Sequence, residues 1–356
     1  MSLTVSVVIC TRNRPDDLAA CLGSLGGQTR LPAEVVVVDA SDTDEPRRRV
    51  DEWAAGRPGR GGPPLGIDSA APGFRDTADA GARGLIGADR GSPAPRPPRV
   101  VSPITEVRYL AARPGLTRQR NLGVAAARGD VVTFLDDDVV LEPAYLARIV
   151  ELFEADPELA GAEGAVVTEP LNGRRRAVNA MRSIFMMNTL GPRRGVKRSG
   201  FVTYDPWPTS VRRVSSLVGC NMSYRRQVFE RFRFDEWFDG YGLCEDQDFS
   251  YRVGLSHKLV QTPAARLEHR LSPVGRQQLG RLHEMTAVNH YYFVRKNLPD
   301  TLLTWLAFLW SELGELLSVL KTGDRAAIAG KLRGYRRIVE MRRARTVRVP
   351  VQEVSS

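Results

Sequence analysis

Three carboxylates stand in a row at Asp136-Asp137-Asp138, directly after an apolar run at 131–135. Crowded at the end of a buried strand they repel one another, and a divalent cation offsets that cost. Hard oxygen ligands select Mg2+ or Mn2+, and Mg2+ commonly takes one or two carboxylates together with substrate phosphates. A solvated acidic turn is the competing reading. A second acidic group follows at Glu245-Asp246-Gln247-Asp248. A carboxylate there can take a proton from an attacking hydroxyl, although acidic residues also favour a helix N-terminus for the macrodipole alone. Glu245 and Asp248 fit that plainer role. His269 follows a short strand and a Pro263-Ala264-Ala265 turn, which puts it at the same sheet edge as the acidic groups. His257, His283 and His290 read as structural.

These groups need a scaffold, and the hydrophobic pattern supplies one. Residues 5–9 form a short β-branched run ending in Cys10-Thr11-Arg12-Asn13-Arg14-Pro15-Asp16. Pro15 suits a first helical turn, with Asn13 or Arg14 near the cap and Asp16 and Asp17 favoured by the dipole. Leu18, Leu22 and Leu25 recur at helical spacing, and residues 35–38 form a second buried strand ending at Asp39-Ala40-Ser41-Asp42. A β-α-β order implies a parallel sheet with ligands at the C-terminal ends of its strands. Further on, the pattern predicts strands at 107–110, 131–135, 165–168, 215–222 and 258–261. Helices are expected at 116–127 and 143–153, and beyond Gly275. Residues 171–213 are polar, basic and without clear period.

Composition bounds the rest. Of 356 residues, 42% are hydrophobic and 26% charged, ordinary for a soluble globular chain. Cys10, Cys21, Cys220 and Cys244 contain no CxxC pair, which argues against zinc and a disulfide framework and for reduced, cytoplasmic thiols. The start lacks the basic region of a signal peptide. Residues 54–98 are so rich in Gly and Pro that a disordered insertion is expected. The net charge of +10 is concentrated in 321–348. A leucine- and tryptophan-rich stretch at 302–320, interrupted by Glu312 and Glu315, adjoins it. Together they predict a helix in the interface of an anionic membrane. A helix packed on the catalytic domain or on a dimer partner, and a merely solvated basic face, are the alternatives; nucleic acid is disfavoured.

Five segments, in order, resemble family 2 glycosyltransferases. VSVVICTRNRPDDLAACLGSL is similar to their opening strand and helix. VVVVDASD resembles their second strand with its nucleotide-contacting aspartate, and RQRNLGVAAARGDVVTFLDDDV their RN-x-G helix, strand and DxD motif. GCNMSYRRQVF and RFDEWFDGYGLCEDQDFSYRV resemble the acceptor-side segment and ED motif. The resemblance covers about residues 3–272, excepting 54–100. It implies a GT-A (Rossmann-like) α/β fold, a mixed, mostly parallel sheet flanked by helices. The glycosyltransferase domain would occupy 1–274 and a basic helical extension 275–356.

The resemblance also implies roles. Thr11, Arg12, Asn13, Asp39, Arg120, Asn121, Asp136 and Asp137 would hold the nucleotide sugar. Asp138 and His269 would bind Mg2+ or Mn2+, Asp246 would be the base, and Gly219, Asn221 and Glu245 would face the acceptor. The implied reaction is inverting transfer from a UDP-, dTDP- or GDP-sugar to a saccharide or lipid-linked hydroxyl, in cell-surface polysaccharide or glycolipid synthesis. Two departures stand out. Ala40 follows Asp39 where the family commonly has an acidic or small polar residue. Gln278-Leu279-Gly280-Arg281-Leu282 lacks the tryptophan of the QxxRW motif of processive synthases. A sugar nucleotidyltransferase shares this sheet type but needs a Gly-rich loop after the first strand, where CTRNRP has no glycine. A non-catalytic nucleic-acid or membrane-binding protein leaves the acidic groups and histidine unexplained.

Overall fold

The computed structural model describes residues 2–56, 106–192, 194–272 and 279–343. The chain opens β1 (Val5–Thr11), α1 (Pro15–Gly26), β2 (Glu34–Asp39), α2 (Glu45–Ala55), β3 (Glu106–Ala111), α3 (Leu116–Ala126) and β4 (Val131–Asp136). It continues through β5 (Val139–Leu141), α4 (Tyr145–Ala155), β6 (Leu159–Val166) and α5 (Gly173–Ile184). Short strands follow: β7 (Thr189–Leu190), β8 (Gly195–Val196), β9 (Val202–Tyr204), β10 (Arg212–Arg213) and β11 (Met222–Arg225). Last come α6 (Glu245–Ser256), β12 (Lys258–His269), α7 (Leu279–Asn297), α8 (Leu302–Thr322) and α9 (Arg325–Arg343).

One large sheet runs β10-β12-β6-β11-β4-β1-β2-β3, with β5 paired to β12. The β4-β1-β2-β3 block is parallel; β11 lies antiparallel between β4 and β6. Strand alternation builds two cores. Val5, Val7 and Ile9 face α1 and α4, among Leu18, Leu22, Leu146 and Ile149. Val8, Val36 and Val38 face the other way, among Phe134, Tyr224 and Phe249. Helices therefore cover both faces, as a parallel sheet requires. The register aligns Thr11 with Asp39 and Cys10 with Asp136, so the strand ends that carry the polar motifs share one edge.

Several boundaries differ from the sequence reading. Residues 54–56 end α2; the rest of the expected insertion, 57–100, lies outside the described residues. The strand expected at 165–168 is the end of β6, and 215–222 is a coil and a single 3-10 turn, Gly219–Asn221, before β11. β12 continues straight through the expected Pro263 turn to His269. Proline cannot donate to a ladder, and the chain absorbs it as a register shift against β6 between Gln261 and Arg266. Residues 171–213, without clear period, contain α5 and the small β7-β9-β8 sheet.

The C-terminal helices form a third core around Ala287, Tyr291, Phe293, Phe308 and Ile338. α7 docks on the sheet domain: Asn289 donates to the Leu243 carbonyl (2.8 Å), and Lys296 pairs with Asp248 (2.9 Å). α8 is arranged contrary to the usual amphipathic helix. Glu312 and Glu315 do not interrupt its outer surface; they turn inward, Glu312 to His290 (2.7 Å) and Lys331 (2.9 Å), Glu315 toward Arg182 (3.6 Å). The leucines point out.

Candidate active site

A cavity of about 750 Å3 opens at the C-terminal edge of the parallel strands. Its walls include Thr11, Arg12, Asn13, Arg14, Arg120, Asp136, Asp137, Gly219, Glu245, Asp246 and His269, with Arg281 and His290 of α7 on the far side.

The acidic triplet sits in the turn between β4 and β5. β5 pairs with the end of β12, and the match of Val139 with His269 brings the histidine to the triplet. His269 Nε2 lies 3.0 Å from Asp138 Oδ1, and the Ser272 amide donates to Asp138 Oδ2 (2.8 Å). Ligand atoms of Asp136, Asp138 and His269 all lie within 4.8 Å of one another. Two carboxylates and an imidazole suit Mn2+ or Mg2+. Burial opposes ionisation of Asp138, yet the His269 contact, the Ser272 amide and Arg14 hold its carboxyl down at about 2. Asp137 faces away from the cluster. It accepts from Thr11 Oγ1 (2.7 Å) and Arg14 Nη1 (3.0 Å), while burial pushes it up to about 7.

On the opposite wall, α6 sorts its acidic first turn into three roles. Glu245 is buried against Arg120. Asp248 is buried and bonded to Arg252, Lys296 and Asn297. Asp246 remains half-exposed to the cavity, its Oδ2 accepting from the Gly219 amide at 2.8 Å. Arg120 binds the Gly219 carbonyl (3.1 Å) and Asp136 (3.4 Å) as well, so one guanidinium joins both walls. Burial works against its charge, but Glu245 and Asp136 keep it firmly protonated.

Other residues singled out in the sequence stand differently. Asn13 has a left-handed backbone (φ 56°) and exchanges hydrogen bonds with Asp42, tying the β1–α1 loop to the β2–α2 loop. Arg12 approaches Asp42 (3.7 Å). Asp39 is buried, its carboxylate engaged by Ser41 and Tyr109. Asn121 is not brought to the cavity; its side-chain amide donates to the Phe234 carbonyl and Glu236 and accepts from the Phe234 amide. Asn221 is fully buried behind the Gly219 turn, where the Tyr145 hydroxyl donates to its carbonyl (3.2 Å).

Sequence reasoning missed two supporting pairs. Arg14, quoted only as a helix cap, bridges Asp137 and Asp138 (3.6 Å). Glu163 and Arg194 form a buried pair whose carboxylate also accepts from the Val218 amide and thereby seats the Gly219 turn. Nothing in the local pattern marks that pair, because its members lie in β6 and in the aperiodic segment.

An α/β sheet with a carboxylate–histidine cluster at its strand ends defines a protein of the GT-A fold. The chain aligns with a mannosyltransferase from Pyrobaculum calidifontis solved with GDP-Man and Mn2+ (TM-score 0.51, 17% identity, 97% of this chain and 83% of that one). It also aligns with GalNAc-T7 solved with UDP, GalNAc and Mn2+ (TM-score 0.53, 17% identity, 88% of this chain and 54% of that one). The model of the family "Glycosyl transferase family 2" matches residues 6–62 and 102–233, and the chain belongs to that family. Asp246 and His269 lie beyond the matched residues.

Among curated relatives, the chain is 26% identical over 115 residues to a glucosyl-dolichyl phosphate glucuronosyltransferase of Haloferax volcanii. It is 25% identical over 249 residues to an uncharacterized glycosyltransferase of Nostoc sp.. It spans 32% and 58% of those two proteins' lengths and is itself covered over 32% and 67%.

Proposed function

We propose that the protein transfers a sugar from a nucleotide-diphosphate sugar to a hydroxyl acceptor, with inversion at the anomeric carbon. The observation that carries this reading is that Asp136 and His269 of the Asp136–Asp138–His269 cluster line one cavity together with the partly exposed Asp246. The acceptor oxygen attacks the anomeric carbon as the bond to the diphosphate oxygen breaks. Asp246 takes the hydroxyl proton, and the nucleoside diphosphate leaves with the bonding electrons. Asp136, Asp138 and His269 would hold Mn2+ or Mg2+, which when bound supplies charge stabilisation for the leaving diphosphate. One metal site and one separate base imply a single displacement with inversion. Thr11, Arg12, Asn13, Asp39 and Asp137 belong to the nucleotide side, and Gly219, Asn221 and Glu245 support the acceptor side.

The acceptor is a saccharide or a lipid-linked hydroxyl in polysaccharide or glycolipid synthesis. The C-terminal helices meet the anionic cytoplasmic face of a membrane, supported by the exposed leucines of α8 beside the basic α9. The test is a panel of nucleotide sugars scored for hydrolysis and transfer with Mn2+ and with excess chelator, the product's anomeric configuration read by NMR. Donor turnover that survives chelation, or a product that retains configuration, overturns the reading.

A further inference from the structure

α5 is a 12-residue helix with no buried residue. Val178, Met181 and Ile184 are 47%, 36% and 66% exposed along one side, and Arg174, Arg175 and Arg176 open its first turns, also exposed. Asn179 ties it to Leu190 of β7 through two hydrogen bonds of 2.8 Å, and its C-terminal end is fastened to α8. The Trp310 indole donates to the Ile184 carbonyl (2.8 Å), Phe185 stacks on Trp310 with centroids 4.9 Å apart, and Phe185 lies so close to Gly314 that an added Cβ would stand 2.4 Å from it.

The α8 stripe consists of Leu302, Leu306, Leu309, Leu313, Leu317 and Leu320 with Leu303 and Trp310 beside it, all between 42% and 74% exposed. It runs about 27 Å along the helix, and no charged side chain breaks it before Lys321. The two apolar surfaces meet at Ile184 and Trp310. We infer that α5 and α8 form one docking surface for an anionic bilayer, α8 lying in the membrane plane and the α5 arginines engaging headgroups. This rests on the membrane reading above and extends it to a helix outside the C-terminal region.

Two observations favour lipid over protein. A protein interface needs about one hydrogen bond per 100–200 Å2, and the only polar group on the α8 stripe, the Trp310 indole, is already committed to Ile184. The charges flanking the surface carry a positive excess: Arg174, Arg175 and Arg176 stand at one end with Glu169 beside Arg175, and Lys321, Arg325, Arg333, Arg336 and Arg337 stand toward α9 with Glu284 and Glu340 paired among them. A stripe of leucine edged with arginine matches an acyl boundary beneath anionic headgroups. The inward ion pairs of Glu312 and Glu315 keep α8 flat on the protein rather than free to span. After α5 the chain passes directly to Asn188 in the cavity wall, so the surface adjoins the proposed transfer site.

The experiment is co-sedimentation of the full chain with phosphatidylglycerol–phosphatidylcholine vesicles and with phosphatidylcholine vesicles, with sedimentation velocity in their absence. Three variants are compared: V178Q/M181Q/I184Q, R174Q/R175Q/R176Q and L306Q/L309Q/L313Q, with circular dichroism confirming their fold. Both glutamine-for-apolar variants should lower partitioning at least about tenfold. The arginine variant should lose binding to anionic vesicles only, most strongly at low salt. If the α8 variant loses binding and both α5 variants bind like wild type, the α5 inference fails while the membrane reading stands. If wild type binds neither vesicle, both fail. A wild-type dimer that the α8 variant dissociates, without vesicle binding, makes the face a contact between copies and overturns the inference.

Discussion

The Gly219 amide donates to the Asp246 carboxylate at 2.8 Å, and a Cβ added at Gly219 would lie 3.0 Å from that same oxygen. The backbone thus aims the proposed base, and a Cβ at Gly219 would push it aside by a few tenths of an ångström. Asp246→Asn can keep the bond through its amide oxygen but cannot accept the acceptor's proton. Its kcat should fall by about 10²–10⁴-fold, with donor affinity unchanged by calorimetry. Gly219→Ala should lower kcat by a smaller factor, because it displaces the carboxylate without removing it. A collapse of donor affinity with normal turnover in Asp246→Asn would reassign the residue to binding.

The metal cluster makes a separate prediction. Asp138→Ala and His269→Ala should each weaken Mn2+ binding at least about tenfold, read by titration calorimetry on the protein alone, and abolish divalent-dependent transfer. Asp138 also accepts from Ser272 and meets Arg14, so its loss should cost about 1–3 kcal/mol of stability. Full activity of Asp138→Ala, or of wild type in excess chelator, would remove the metal assignment.

Arg120 should tolerate lysine poorly. Its guanidinium reaches Glu245, the Gly219 carbonyl and Asp136 at once, a fork that an ammonium cannot reproduce. Arg120→Met leaves Glu245 buried without its partner and should cost about 3–5 kcal/mol in urea unfolding. Arg120→Lys should retain more stability yet lose kcat, since both walls shift. A Lys variant with wild-type kcat would show that Arg120 positions nothing.

Much of this site was legible because its residues sit where sequence patterns are strongest. Strands 5–9, 35–38 and 131–135 are uninterrupted apolar runs, and the polar residues that follow each one reach the same edge because parallel strands end together. The chain beyond Val166 was harder. A two- or three-residue strand such as β7, β8 or β10 leaves no period to read, and α5, bare of buried residues, has no core-facing stripe. The Pro263 turn misled because proline ordinarily ends a strand, whereas here β12 passes it as an irregularity and delivers His269. Asn121 misled because its neighbour Arg120 points into the cavity, and on a helix the next residue points elsewhere.

Glu312 tests how the C-terminal helices are held. It lies buried in α8 between His290 of α7 and Lys331 of α9. The two His290 ring nitrogens lie 2.7 Å from Glu312 Oε1 and 2.8 Å from the Ser199 carbonyl oxygen. Burial by itself would raise the Glu312 carboxyl, but His290 and Lys331 overcome it and hold it down at about 2, from an ordinary value of 4.5. The sign follows. A carboxyl whose value is depressed on folding contributes stability above its unfolded value, and that contribution drains away as the pH falls from about 4.5 to about 2. It is worth about 3 kcal/mol. Glu312→Gln should therefore be destabilised by about that amount at pH 7, where it leaves the buried Lys331 facing an amide, and should converge on wild type near pH 2. Urea unfolding of both proteins across this range decides the matter. A gap that stays constant with pH would mean that packing, not charge, joins α7, α8 and α9.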